Sequence, residues 1–356
     1  MPATSRVPAS TRPIVIGVDT HKDLHVAVAL DHLGQRLAEL HVPTTAAGYV
    51  ELERWATSLG TVEVFGSEGT GSYGAGVARY LRQRHHRLVE VNRPDRATRH
   101  RLGKSDPLDA EMAARLVLAG VASGTPKTGD GPVEMLRLLK LAKDSAVRIR
   151  PQSMNQMKAV IVTATAELRD TLRGLRNAEV IDRCAAFRPG PLTSRTAVAT
   201  YTLRLLAKRH LDLSLEIAAV ELEIERLVSV AAPALLEVFG LKADGAARLL
   251  VAAGDNPGRL RSEAAFAALC GSHPVPASSG KTQRHRLNRG GDRQANATLH
   301  RIVVVRLRWH PPTQASMRRR LTEGKSKPEI MRCLKRYVAR EVFTILRPPA
   351  ATHQVR

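Results

Sequence analysis

At 356 residues the chain is long enough for two or three domains with cores of their own, and with aromatics at only 3% those cores are aliphatic and favour helices. The net charge of +22 is uneven: residues 1–125 carry 15 Lys and Arg against 13 Asp and Glu, residues 281–356 carry 19 against 4, so the C-terminal region has a polyanion partner or a merely basic, solvated surface or tail. Cys184, Cys270 and Cys333 are too far apart for a CxxC metal pair or a disulfide framework, and no apolar run approaches a membrane span, which excludes stapled, zinc-ribbon and membrane classes and predicts a cytoplasmic protein.

Residues 1–13 read as a loose polar leader. Ile14 to Asp19 is a short β-branched run, a buried strand, and His25 to Asp31 its antiparallel partner before a turn at Gly34. Extended backbone would put Asp19, His21, Asp23 and His25 on one face, as a transition metal would want; the intervening Lys22 and a local bend favour a solvated turn instead. Tyr49 to Ser58 reads as a helix. Thr61 to Gly66 is a strand that runs into SEGTGSYG, with Glu68 where the strand ends and glycines that permit close backbone approach to a ligand. A helix over Ala75 to Arg84 and a strand over Arg87 to Val91 follow. The order β, β, α, β, α, β, α predicts a mixed sheet flanked by helices over residues 1–125.

Lys104 to Leu116, KSDPLDAEMAARL, reads as a helix with Asp106 and Asp109 on one face, followed on that face by Ala113 and then Leu116 or Val117. One reading is capping, with Asp106 as N-cap and Pro107 at the first helical position. The other is a pair of inward acids that needs a cation. Asp19, Glu68, Asp106 and Asp109 together would repel one another without one. Hard oxygen donors select Mg²⁺, with Mn²⁺ as the alternative, and two such ions about 3.5–4 Å apart suit in-line phosphoryl transfer.

GVDTHKDLHVAVALDHLG, E-x-T-G-x-Y from Glu68 to Tyr73, VNRP and KSDPLDA closely resemble the DEDD transposases of bacterial insertion sequences, family one-hundred-ten. The resemblance implies an RNase H-like N-terminal domain of the RuvC type. It makes Asp19, Glu68, Asp106 and Asp109 the catalytic, metal-binding set.

Gly120 to Pro132, rich in Gly, Thr and Pro, reads as a linker, and residues 126–230 as a helical coiled-coil region. Apolar residues recur at steps of three or four from Val133 to Leu175, with Pro151 expected to interrupt or kink the helix. After a loop at Arg188 to Thr193, a second long helix carries Leu206, Leu213, Ile217, Val220, Ile224 and Leu227 as a seam that closes within one chain or between protomers. The resemblance implies a coiled coil and assembly into dimers or tetramers. Residues 231–356 form a mostly helical C-terminal domain. Its first part, to Gly271, is similar to a helix-hairpin-helix unit with Gly240 matched and Lys242 where a second glycine is usual; structural and nucleic-acid roles are both open.

Cys270 to Leu299 holds Ser278 and Ser279 before Gly280, then Lys281, Arg284, Arg286, Arg289 and Arg293. From the residues alone this is a phosphate-contact loop, since no neighbour is an obvious base, or a nucleophile with arginines around its transition state. The resembling family carries a catalytic serine in a P-x-x-S-G loop and then a G-[DN]-x-x-x-N motif, matched here by Ser279 and by Gly291, Asp292 and Asn296; the doubled serine leaves Ser278 open. Lys281, Arg284, Arg286, Arg289, Arg293 and Asn296 are the expected nucleic-acid contacts. Trp309 reads as core. The last helix, Lys327 to Leu346, packs through Ile330, Leu334, Tyr337 and Val338 and turns Arg332, Lys335, Arg336 and Arg340 outward.

The fold expected is thus α/β plus α, and the function a DNA transposase or recombinase. The resemblance further implies a covalent phosphoserine intermediate formed on the phosphodiester at which the DEDD metal site acts, donor and target DNA as substrates, guidance by a structured noncoding bridge RNA, and association with the nucleoid. The alternatives are a Holliday-junction-resolvase-like hydrolytic nuclease with no covalent step, an actin-like sugar kinase, and a non-enzymatic nucleic-acid-binding protein.

Overall fold

The computed structural model describes residues 12–91, 105–280 and 285–347. Most of the leader, Asn92 to Pro94, Lys104, Lys281 and Arg284 lie outside the described residues. The chain divides into two compact units, Met1–Gly131 with Ala253–Arg261, and Pro132–Ala252 with Ser262–Arg356.

The first unit is built on a five-stranded sheet of β1 (Pro13–Thr20), β2 (Leu24–Asp31), β3 (Arg36–Pro43), β4 (Thr61–Ser67) and β5 (Leu88–Glu90), in the order β3-β2-β1-β4-β5. β1, β2 and β3 pair antiparallel, whereas β4 runs parallel to both β1 and β5. The apolar runs of β1 and β2 are buried along almost their whole length because both faces of the sheet are covered. On one face Ile14, Ile16, Val18 and Phe65 pack with α1 (Ala46–Leu59) and α2 (Ala75–Gln83). On the other, Val15, Val28 and Val64 meet α3 (Asp106–Leu118) through Ala110 and Ala114. This is the RuvC-like α/β architecture that the resemblance implied.

β3 is an addition to the expected order. Its burial alternates weakly and only Val42 is fully buried, so an edge strand of this kind has little apolar periodicity to announce it. The expected linker is fastened down. The Glu90 amide donates to the Gly124 carbonyl at 2.7 Å, and the Asn256 side chain accepts from the Thr128 amide at 3.2 Å while donating to the Pro126 carbonyl at 2.9 Å.

In the second unit α4 (Pro132–Thr163) and α7 (Arg195–Ala231) pack against each other within the chain. They run antiparallel: Arg195 donates to the Thr163 carbonyl at 2.8 Å, while Lys143 lies 2.8 Å from Glu221. α4 continues through Pro151, so the expected interruption does not occur. One lost backbone bond is outweighed by burial along the seam, where Met154 and Met157 pack with Leu203, Leu206 and Ala207. The short helices α5 (Ala166–Asp170) and α6 (Asn177–Ala185) close the far end of this core through Leu168 and Ile181. Lys140 and Lys143, both buried, converge at 2.5 Å on Asp244 at the start of α8 (Ala243–Ala253).

Next come α9 (Glu263–Leu269), a two-residue ladder of β6 (Val275–Pro276) with β7 (His285–Arg286), α10 (Arg293–Trp309), α11 (Pro311–Thr322) and α12 (Lys327–Leu346). Trp309 is not core: it is 64% exposed, with the Arg308 guanidinium 5.0 Å above its ring. Nor do all the α12 cations face outward. Lys335 is half-buried and bonded to Asn296, and Arg336 is half-buried and paired with Glu263. Among the described residues, no helix is long and apolar enough to cross a membrane.

Candidate active site

Alternation along β1 places Val15, Gly17 and Asp19 on the α3 face of the sheet, and alternation along β4 does the same for Val64, Gly66 and, one residue past the strand, Glu68. Gly17 and Gly66 are register partners on neighbouring strands. A Cβ on Gly17 would fall 1.9 Å from the Ala110 carbonyl oxygen, and one on Gly66 would fall 2.6 Å from a Val117 methyl and 3.1 Å from the Ala113 carbonyl. The two glycines therefore let α3 lie directly on the sheet. That contact brings the first turn of α3 to the strand ends that carry the other acids.

The N-cap of α3 is Ser105, not Asp106, and Asp106 and Asp109 stand in the first turn. His21 Nε2 lies 3.0 Å from Asp19 Oδ2 and 3.3 Å from Asp106 Oδ1. Glu68 is buried just past the end of the neighbouring strand, its backbone amide donating to the Val18 carbonyl at 3.4 Å and its backbone carbonyl accepting from the Thr20 hydroxyl at 3.1 Å. Burial pushes the Asp19 carboxyl above its ordinary pKa; His21 opposes the shift, and the negative charges of Asp109 and Asp106 add to it. Ligand atoms of Asp19, His21 and Asp106 all lie within 4.8 Å of one another. Two carboxylates and an imidazole at that spacing, with a third acid electrostatically coupled, fit a small divalent cation, and the imidazole favours Mn²⁺ relative to an all-oxygen site. His21 is the residue that the solvated-turn reading passed over. Its signal was the Asp-x-His spacing at a strand end. Asp23 is exposed and His25 is enclosed in the core, so that face does not converge as a set of four.

In the second unit Ser278 and Ser279 are exposed in the loop that the β6–β7 ladder closes. The root of that loop is tightly held. A Cβ on Gly291 would meet the Gly271 nitrogen at 2.2 Å, Asp292 caps α10 by accepting from the Gln294 and Ala295 amides at 2.8 Å each, and Asn296 donates to the Cys270 and Gly271 carbonyls at 2.8 and 3.0 Å. The Gly291, Asp292 and Asn296 motif is thus a clamp at the base of the serine loop.

Two family models match the chain. A DEDD transposase model of IS110 type covers residues 16–165, and the model described as "Transposase IS116/IS110/IS902 family" covers residues 232–318. The chain belongs to this transposase family. No curated protein matches.

The first match spans all four acids and the second spans the serine loop and its clamp. The transposase is accordingly a DNA-acting enzyme, and its DEDD domain implies a divalent metal. Of its expected nucleic-acid contacts, Arg286, Arg289 and Arg293 are exposed, whereas the Asn296 side chain is engaged inside the protein on both its oxygen and its nitrogen. Gly240, with φ +85°, precedes α8, and a hollow of about 580 Å³ there is lined by Gly240, Lys242 and Arg301 among others.

Proposed function

We propose that the transposase cuts and rejoins DNA strands at an insertion-sequence end and its target through a covalent phosphoserine intermediate. Asp19, Glu68, Asp106 and Asp109 would hold Mg²⁺ or Mn²⁺, and Ser279 would be the nucleophile. The observation that carries the reading is the meeting of Asp19, His21 and Asp106 beside Glu68 at the ends of β1 and β4. Bound there, divalent cations supply positive charge to a scissile phosphate. His21, 3.0 Å from Asp19 and 3.3 Å from Asp106, would be a further donor to the cation. Burial of Asp19 and Glu68 limits competing water.

The exposed Ser279 hydroxyl attacks phosphorus: an Oγ–P bond forms, the bond from phosphorus to the neighbouring deoxyribose oxygen breaks, and that oxygen takes up the proton that serine loses. Attack by a DNA hydroxyl reverses the step and frees the serine. Arg286, Arg289 and Arg293, exposed near the loop in sequence, stabilise the phosphoryl charge. A structured noncoding RNA selects donor and target by base pairing; the excess of cations in residues 281–356 supports a second polyanion. Tyr201, Leu215 and Leu222, exposed on α7 at multiples of seven residues, support assembly of copies.

The test is a mixture of protein, nicked or duplex element ends and Mg²⁺, resolved under denaturing conditions. A protein-DNA adduct is expected, lost in Ser279→Ala and kept in Ser278→Ala. Cleavage that leaves free 5′-phosphates and no adduct would establish the hydrolytic nuclease instead.

A further inference from the structure

The C-terminal unit contains a basin of about 740 Å³ between the base of the serine loop and α12. One wall is the Gly271–Pro274 segment with Arg286 on β7; the other carries Arg332, Lys335 and Arg336, with Lys325 also in the lining. The acids nearby are few. Glu329, the acid in the lining, accepts from the Ser326 amide at 2.9 Å and its hydroxyl at 2.6 Å, and Glu263 pairs with Arg336 and, at 3.1 Å, with Arg340. Among the described residues, no carboxylate lies within salt-bridge distance of Arg286, Arg332 or Lys335, although Arg332 and Lys325 are close enough to help hold the Glu329 carboxyl below its ordinary pKa. Lys335 bonds the neutral Asn296 oxygen at 2.9 Å, and burial together with the neighbouring Arg332 pushes its pKa down. Five cations, Arg286, Lys325, Arg332, Lys335 and Arg336, thus share a lining with the single carboxylate of Glu329, and the excess positive charge around the half-buried Lys335 is an electrostatic cost that a bound anion relieves. The volume suits a nucleotide-sized ligand rather than a lone small anion.

We propose that this basin is a phosphodiester-binding pocket that holds the DNA strand leading into the Ser278–Ser279 loop, with Arg332 and Lys335 on the phosphate and Arg286 at the loop side. The identity of the strand rests on the recombination reading above. Occupancy of the pocket does not require chemistry.

Cys333 lies in the lining and is exposed, whereas Cys184 and Cys270 are buried with thiol pKa values pushed by burial up to about 11 and about 12. Alkylation of the full-length protein therefore reports on Cys333. Saturating element-end duplex is expected to slow that alkylation about fivefold or more, measured against unliganded protein of the same sequence. In Arg332→Gln the DNA concentration for half-protection rises about tenfold, Arg332→Lys restores most of it, and the salt slope of binding falls by about one in Arg332→Gln. Arg332 is exposed on α12, so its variants retain the fold; Lys335→Gln is the second variant. Unchanged alkylation while a gel shift shows DNA bound would overturn the proposal. So would protection by RNA of equal length but not by DNA, or half-protection unmoved in both charge variants. An adduct at Ser279 without protection of Cys333 removes the pocket and leaves the recombination reading; protection without an adduct does the reverse.

Discussion

His21 and His25 stand four residues apart and are used in contrary ways. The His21 ring is half-exposed between two carboxylates, 3.0 Å from Asp19 and 3.3 Å from Asp106. His25 is fully buried, its ring stacked on Tyr49 with centroids 5.9 Å apart, and burial pushes its pKa down. The unfolded chain then binds a proton that the folded chain refuses, so His25 makes stability rise with pH through the ordinary imidazole range and fall as pH drops below it. Thermal melts from about pH 7 to about pH 5 should show a shallower loss of Tm in His25→Phe than in the natural chain. Equal slopes would mean that His25 titrates as if unfolded. Nothing at residue level in the sequence separates the two histidines; the strand's own alternation, read one register further, would have put both on the face of Asp19.

α3 meets the sheet through a glycine contact, and the geometry of the acids depends on it. Gly17→Ala drives a methyl into the Ala110 carbonyl and should cost about 1–3 kcal/mol by overpacking, with Asp106 displaced from Asp19 and Mn²⁺ binding weakened in parallel. Gly71→Ala is the control: a Cβ there meets nothing within 4 Å and its φ is not in the left-handed region, so its denaturation midpoint should move by no more than about 0.5 kcal/mol equivalent. If both variants melt alike, the helix is not seated through Gly17. At this scale the sequence was readable where one element buries a continuous or periodic apolar set, as in β1, β2, α4 and α7. It was unreadable at β3, an edge strand with one buried side chain of consequence, and at Pro151, where packing along α7 overrides a local breaker.

Across the whole molecule, the chain returns from the helical half to the first unit: residues Ala253–Arg261 belong there, and Asn256 brackets residues 126–128 with two hydrogen bonds. Arg82 adds a bond to the Lys127 carbonyl at 2.7 Å. Asn256→Ala removes both Asn256 contacts and should cost about 1–3 kcal/mol locally, opening the segment around Lys127 without melting the sheet. Limited trypsin digestion should then cut after Lys127 several-fold faster than in the natural chain, with the overall melting temperature little changed. Unaltered cleavage would show that Arg82 and the Glu90–Gly124 bridge suffice to hold the segment.

What the sequence determined by itself is local: the runs that make β1, β2 and the long helices, the four acids at element ends, the serine before a glycine, and the cationic bias of the C-terminal stretch. Each is set by propensity, period or charge within a few residues. Tertiary structure decided which of those residues meet. His21 joined Asp19 and Asp106 because two register-paired glycines seat α3 on the sheet. Asn296 turned inward to hold the root of the serine loop. Arg286, Arg332 and Lys335 came to line one basin in which cations outnumber the single acid, Glu329. Residues tens of positions apart become neighbours only through close packing, and no local pattern encodes which of them will touch.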